Sequence, residues 1–306
     1  MENLAKEKFQ ILGVEAGAGE RIARPRISYF QDAWRRFKEN KTAVLALVIL
    51  CILIFMVIFG PAISGYAFEE VDTMAINQAP SAKHWFGTDK LGRDIFARVW
   101  QGGRVSMIIG LVGALVSSFI GCIYGGISAY FGGTVDNIMM RIVEVLISVP
   151  YLIVVILLSV VLGNSNLFTL ILAMTITGWC GTARLVRGQM LQIKNQEFVL
   201  AAQGLGVSPG KIILRHMLPN TFNVIIVSIT FDIPGYIFSE AFLSYIGLGV
   251  QPPNTSWGAL ASAAQTQFMF YPYQLLFPAL MIALTMLAFT LCGDGLRDAL
   301  DPKLRK

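Results

Sequence analysis

The sequence predicts an all-α membrane protein of about six transmembrane helices, with both termini in the cytoplasm. Three observations predict it. The 306 residues are 55% apolar and 14% charged, with a mean hydropathy of +0.63, whereas soluble chains carry about 25% charged residues. The apolar residues gather into long runs. Lys and Arg sit at the margins of those runs instead of spreading over a surface as in a nucleic-acid-binding protein, so no nucleic-acid partner is expected. Apolar surface in such excess cannot be enclosed by this chain, and its solvent is lipid.

Taken in order, residues 1–24 mix Gly and charge without periodicity and are expected to be irregular. Residues 28–41, SYFQDAWRRFKENK, read as an amphipathic elbow helix on the inner leaflet. Tyr29, Phe30, Trp34 and Phe37 share an apolar flank, and Arg35, Arg36 and Lys38 stand ready for lipid phosphates. Candidate spans follow at 42–60, 105–131, 142–162, 167–183, 222–248 and 275–292. The first lies behind a long basic segment and is too long for a cleavable signal, so it is read as a retained span.

Of the 24 Lys and Arg residues, 19 fall in segments 1–41, 184–220 and 293–306 or at Arg141, against five in the loop 61–104. The positive-inside rule then places 1–41, 184–220 and 293–306 in the cytoplasm and 61–104 outside. The chain divides accordingly. A tail and elbow (1–41) precede a first span (42–60) and an extracytoplasmic loop (61–104); a five-helix core (105–292) contains the cytoplasmic loop 184–220, and a short tail (293–306) closes the chain.

Cys51, Cys122, Cys180 and Cys292 all lie in or beside apolar runs, none in a CxxC pair, and His84 and His216 stand far apart, so no metal site is expected. In the second span Gly113, Ser117, Gly121, Gly125 and Ala129 recur at every fourth position, a stripe that lets another helix approach closely, within the chain or from a partner.

The loop 184–220 is too long and too patterned for a plain connection. Residues 197–205, EFVLAAQGL, have helical composition, and Gly206 can end that helix at positive φ. Ser208-Pro209 then starts a second helix over 209–217, expected to stop near Leu218-Pro219. The run Leu200-Ala201-Ala202, Gly206 and His216-Met217-Leu218-Pro219 resembles the EAA loop of ATP-binding-cassette importer permeases. Leu200 stands where Glu is usual and His216 where Ile is usual, and Arg215 to Asn220 look like the peptide-permease form. FGTDKLGRD (86–94), FLSYIGLGVQPPNTSWG (242–258) and GDGLRDALDPKLRK (293–306) resemble the C-type permease subunit of oligopeptide, dipeptide and nickel importers.

That resemblance implies a type I importer permease fold in a bacterial cell membrane and a binding-protein-dependent import of oligopeptides. It also implies a B-type permease partner, two ATPase subunits and an extracytoplasmic peptide-binding protein. ATP and Mg would be held by those ATPases, with no cofactor in this chain. The chain has no G-x-x-x-x-G-K-[ST] loop: Gly210-Lys211 comes nearest, but Leu205 occupies the place of the first glycine. On the resemblance, Glu197, Ala201, Ala202, Gly204 and Gly206 belong to an ATPase-coupling element together with Ser208, Pro209, Lys211, Arg215, His216 and Pro219.

Other signals are weaker. Asp232 falls mid-span, two residues before Pro234, with Glu240 eight residues later. Asp232 is either a path-lining carboxylate near a hinge, meeting the cationic end of a peptide, or an Asp bonded within the bundle; Glu240 is a second path candidate. Arg141 and Glu144 read as a local i, i+3 pair. Asp89/Arg93 and Asp94/Arg98 read as i, i+4 helix pairs or as contacts for the binding protein. In the last segment Asp298 and Asp301 interleave with Arg297, Lys303 and Arg305 as a capped tail. Gly206-Val207-Ser208-Pro209-Gly210 matches a nucleophile elbow in letters only, since no strand precedes it and no acid–His pair accompanies it. A self-sufficient secondary transporter would show inverted repeats and facing intramembrane charges, and neither is visible.

Overall fold

The computed structural model describes residues 28–163 and 166–301; the expected irregular segment 1–24 and the charges Lys303 and Arg305 lie outside the described residues. The described chain is helical, in the order α1 (Tyr29–Glu39), α2 (Lys41–Ile63), α3 (Ile95–Phe131), α4 (Gly133–Ser148), α5 (Tyr151–Leu162), α6 (Leu167–Ile193), α7 (Glu197–Gly204), α8 (Pro209–Lys211), a π-helical turn (Ile212–Met217), α9 (Leu218–Tyr245), α10 (Trp257–Gln265) and α11 (Tyr273–Leu300). Five helices are long and apolar enough to cross a bilayer, and α4 with α5 makes a sixth crossing if the pair counts as one.

That pair departs from the sequence reading. Residues 142–162 were expected as one span, but α4 and α5 meet at an 81° bend around Val149 and Pro150. Val149 is extended, the conformation that a following proline favours, so helical geometry stops there although apolar composition does not. Other spans run longer than their apolar cores. α3 starts at Ile95, ten residues ahead of the expected 105, where the Asp94 carboxylate accepts from Ala97 N–H at 2.8 Å as an N-cap. α6 continues through Arg184 to Ile193, and α11 through Arg297 to Leu300, into segments expected as loop and tail.

α3 is the central helix. Gly110 and Gly113 face Ile237 and Tyr236 of α9, while Gly121 and Gly125 face Thr182 and Ala183 of α6. A β-carbon on Gly125 would collide with the Ala183 carbonyl oxygen, so the α3–α6 approach requires glycine there. The small-residue stripe thus packs within this chain. α6 runs parallel to α3 and α9 antiparallel, so the loop 64–94 and the segment 197–217 lie at opposite ends of the bundle.

Four apolar clusters hold it. One joins α3, α5, α6 and α9 around Ile109, Leu170, Met174 and Ile237. A second joins α3 and α6 to the 197–217 segment. A third joins α2, α3, α10 and α11 around Trp100 and Trp257, and the last seats Phe37 of α1 against Ala43 and Ala299. Phe30 and Trp34 remain 63% and 51% exposed on α1.

Candidate functional site

The segment 197–219 is built by two local devices. α7 ends in a Schellman motif: Gly206 has φ +73°, its N–H donates to Gln203 O, and Val207 N–H donates to Ala202 O at 3.1 Å. Ser208 is extended ahead of Pro209, without a side-chain capping bond. The helix that follows does not stop at Leu218-Pro219 as expected. It passes through the π-turn, where Leu218 N–H donates five residues back to Ile213 O, and continues as α9. Pro219 has no N–H to give Arg215, and the wide turn absorbs that defect. Asn220 Nδ2 donates to His216 O at 2.6 Å.

This two-part element has an anchored side and an open side. Val199, Ala202, Ile212, Ile213 and Met217 are buried against Ala129, Val186 and Met190. Glu197, Ala201, Gly204, Gly206, Ser208, Pro209, Lys211, Arg215 and Pro219 are exposed, and His216 is half-buried. Ala202 therefore faces the bundle, unlike the other residues expected to couple. The open side also carries three leucines absent from the expected set, Leu205 at 83% exposure, Leu214 at 62% and Leu200 at 51%, beside the less exposed Phe198. Apolarity was visible in sequence, but which face each leucine occupies depends on how the two pieces fold back on α3 and α6.

In α9, Asp232 is half-buried and accepts a long hydrogen bond from Ser228 Oγ at 3.4 Å. Pro234 is buried within an unbroken α9, so no break marks a hinge there. One turn on, the Tyr236 hydroxyl is hydrogen-bonded to Ser117 of α3. Glu240 has a different setting. It is 0% exposed and accepts from Ser106 Oγ of α3 at 2.8 Å and from Ser244 Oγ at 2.7 Å. Ser244 Oγ lies 3.2 Å from Ser256 Oγ, the N-cap of α10, and Ser106 Oγ accepts from Trp257 N–H at 3.2 Å. The cluster ties α3, α9 and α10 together.

At the other end, the loop 86–94 is not helical. Asp89 Oδ1 accepts from Leu91 and Arg93 N–H, Gly92 turns the chain at φ +75°, and Arg93 Nη2 pairs with Asp89 Oδ2 at 2.7 Å. The expected Asp94/Arg98 pair is not formed. Asp94 is buried and bonds His84 Nδ1 at 2.9 Å, while Arg98 reaches the Phe68 carbonyl at 3.2 Å and Asp89 at 3.7 Å. Asp94 also caps α3, and it is 4% exposed. A cavity of about 380 Å³ is lined by Tyr66, Lys83, Trp85 and Asp94, and one of about 30 Å³ lies between Asp89, Arg93, Leu260 and Gln274. Gln274 Nε2 fastens this loop to α11 through Thr88 O at 3.0 Å.

The Arg141–Glu144 pair forms as expected, at 2.9 Å. Sequence reasoning missed a stronger one: Arg187 of α6 and Asp136 of α4 meet in a two-pronged contact, 51 residues apart in the chain. No local spacing signals it.

Residues 102–306 match the family described as binding-protein-dependent transport system inner membrane component, and residues 28–80 match the N-terminal transmembrane domain of oligopeptide transport permease C. The oligopeptide transport system permease protein OppC of Bacillus subtilis is 49% identical over 306 residues, covering all of both chains. The dipeptide transport system permease protein DppC of the same organism is 51% identical, covering 99% of this chain and 95% of its own. Among solved structures, the MetNI methionine ABC transporter shares the fold at a TM-score of 0.52 and 19% identity, over 67% of this chain and 94% of that one. With an all-helical bundle of five long helices and a bent sixth crossing, and these matches along its whole length, the chain belongs to the family of binding-protein-dependent transport system inner membrane components, within its oligopeptide and dipeptide permease C branch.

Proposed function

We propose that this chain forms half of the membrane path of an ATP-driven oligopeptide importer and takes its energy through the segment 197–219. The observation that carries this is the two-sided element itself: buried anchors on one face, three exposed leucines among polar residues on the other. Exposed apolar side chains on a braced surface suit the groove of a protein partner. The positive-inside count puts this surface in the cytoplasm, with both termini, and the loop 61–94 outside. A B-type permease, two ATPases holding ATP and Mg, and an extracytoplasmic peptide-binding protein complete the assembly. Asp89 and Arg93 are the docking candidates for the binding protein. Purification of the tagged chain in mild detergent is expected to bring the second permease and both ATPases with it. Isolation as a transport-competent homo-oligomer would overturn the reading.

Within the path, Asp232 is the candidate for the peptide's cationic end. Its single long hydrogen bond leaves carboxylate capacity unused, whereas Glu240 is enclosed by serines and reaches a substrate only if α10 moves. Asp232→Asn is expected to lower import of peptides with a free amino terminus by about tenfold, the worth of one charge-assisted hydrogen bond, and to spare N-acetylated peptides. Equal import of both peptide types by variant and parent would remove Asp232 from the path.

A further inference from the structure

α4 is moored to the bundle by little. Among its sixteen residues only Asp136 and Val143 are buried, and Val135, Ile138, Ile142, Val145 and Ile147 are exposed. Asp136 is the mooring with charge. Arg187 Nε and Nη2 of α6 each reach one of its oxygens at 2.5 Å, and Ser128 Oγ in the last turn of α3 donates to Oδ1 at 2.5 Å. Asp136 also lies in the first turn of α4, where the helix dipole favours a carboxylate. Nearby, Lys194 Nζ donates to Ala129 O at 3.0 Å. The α3–α4 corner itself is made by Gly132 and Gly133, at φ +65° and +52°, and supplies no side chain to hold α4 in place.

The other side of the clamp leads to the 197–217 segment. Arg187 is flanked on α6 by Val186 and Met190, which pack with Val199, Ala202, Ile212, Ile213 and Met217 in one buried cluster. A displacement of that segment therefore reaches α6 and α3 through apolar contact, and reaches α4 through the Arg187–Asp136 contact.

We propose that the Arg187–Asp136–Ser128 clamp is a positioning device for transport: it hands movement of the segment 197–219 to α4 and so to the bent α4–α5 crossing. The inference rests on the reading of that segment as the ATPase-coupling element. It predicts uncoupling when the clamp is cut, because the segment still moves but α4 does not follow.

The test uses the whole complex in proteoliposomes, with its binding protein and a radiolabelled alanine oligopeptide, and reads peptide imported per ATP hydrolysed. Arg187→Gln and Asp136→Asn are expected to lower that ratio about tenfold, a fold-change typical of coupling between sites, with binding-protein-stimulated hydrolysis held within about twofold. Arg187→Lys, which keeps charge but loses the fork, should fall between, and the exchanged pair Asp136→Arg with Arg187→Asp should recover part of the loss. Import and hydrolysis falling together, or a ratio unchanged in every variant, overturns the proposal. If Arg187→Gln does not assemble, the Lys variant and the exchanged pair decide it by the same ratio. Leu205→Asp serves as the control for the underlying reading. If it leaves ATPase stimulation intact, the coupling reading fails; if it abolishes stimulation while the clamp variants are silent, only the clamp is rejected.

Discussion

Leu205→Asp is expected to cut peptide import by at least tenfold and to loosen the ATPases from the purified complex, without loss of folded permease. The side chain is 83% exposed and ends α7 at its C-cap, so the folded chain loses almost no contact with it. Substitutions at such positions typically change stability by no more than about 0.5 kcal/mol. An apolar knob seated in a partner's groove, by contrast, is worth about 2 kcal/mol when removed, or roughly thirtyfold in affinity, and a buried unpaired carboxylate adds to that cost. Leu205→Ala should give a smaller loss in the same direction, and Leu205→Met should be nearly silent. The check is co-purification of the ATPases with the tagged chain, set beside the thermal unfolding midpoint of the permease. Normal ATPase recovery with Leu205→Asp would show that this face is not where they bind.

Glu240→Ala is expected to destabilise the permease by about 2–4 kcal/mol, the cost of leaving two buried serine donors without their acceptor. Ser106 and Ser244 both donate to Glu240, and the residue is 0% exposed, so no water replaces the lost partner at the surface. Trp257 N–H also depends on Ser106, and Trp257 Nε1 donates to Val99 O at 2.8 Å, so loosening Ser106 frees one of the two hydrogen bonds that Trp257 makes to α3. Glu240→Gln keeps one acceptor oxygen, and the serine hydroxyls can rotate to accept from its amide, so its cost should be about 1 kcal/mol. Thermal unfolding of the purified complex distinguishes the two variants. If Glu240→Gln keeps parental stability yet changes which peptides are imported, Glu240 belongs to the path and not to a fastening of α10.

Much of the fold was legible because hydropathy acts locally. Five of the six expected spans each lie on one long helix, and Gly206 has the positive φ that its place after α7 requires. The misreadings share one cause, patterns that satisfy two structures. The Asp89/Arg93 spacing suits a helix, yet Gly92 at φ +75° and the Asp89 carboxylate capping Leu91 and Arg93 make it a tight loop. Residues 142–162 are apolar apart from Glu144 and two serines, so composition was silent on the 81° bend. Leu218-Pro219 carries a helix-stop signal, and the π-turn overrides it.

The sequence by itself determined that the chain lives in a bilayer and where its long apolar helices fall, because both depend on the transfer of a short run of side chains between water and lipid. Only the tertiary structure decided that Glu240 is caged by serines from three helices, that Asp94 turns inward to His84 and that Asp136 is held by Arg187. Those pairings join residues 10 to 134 positions apart. The Glu240 and Asp136 pairings follow from how closely α3 approaches α9 and α6 across its glycines, a property of the packed bundle that no local pattern carries.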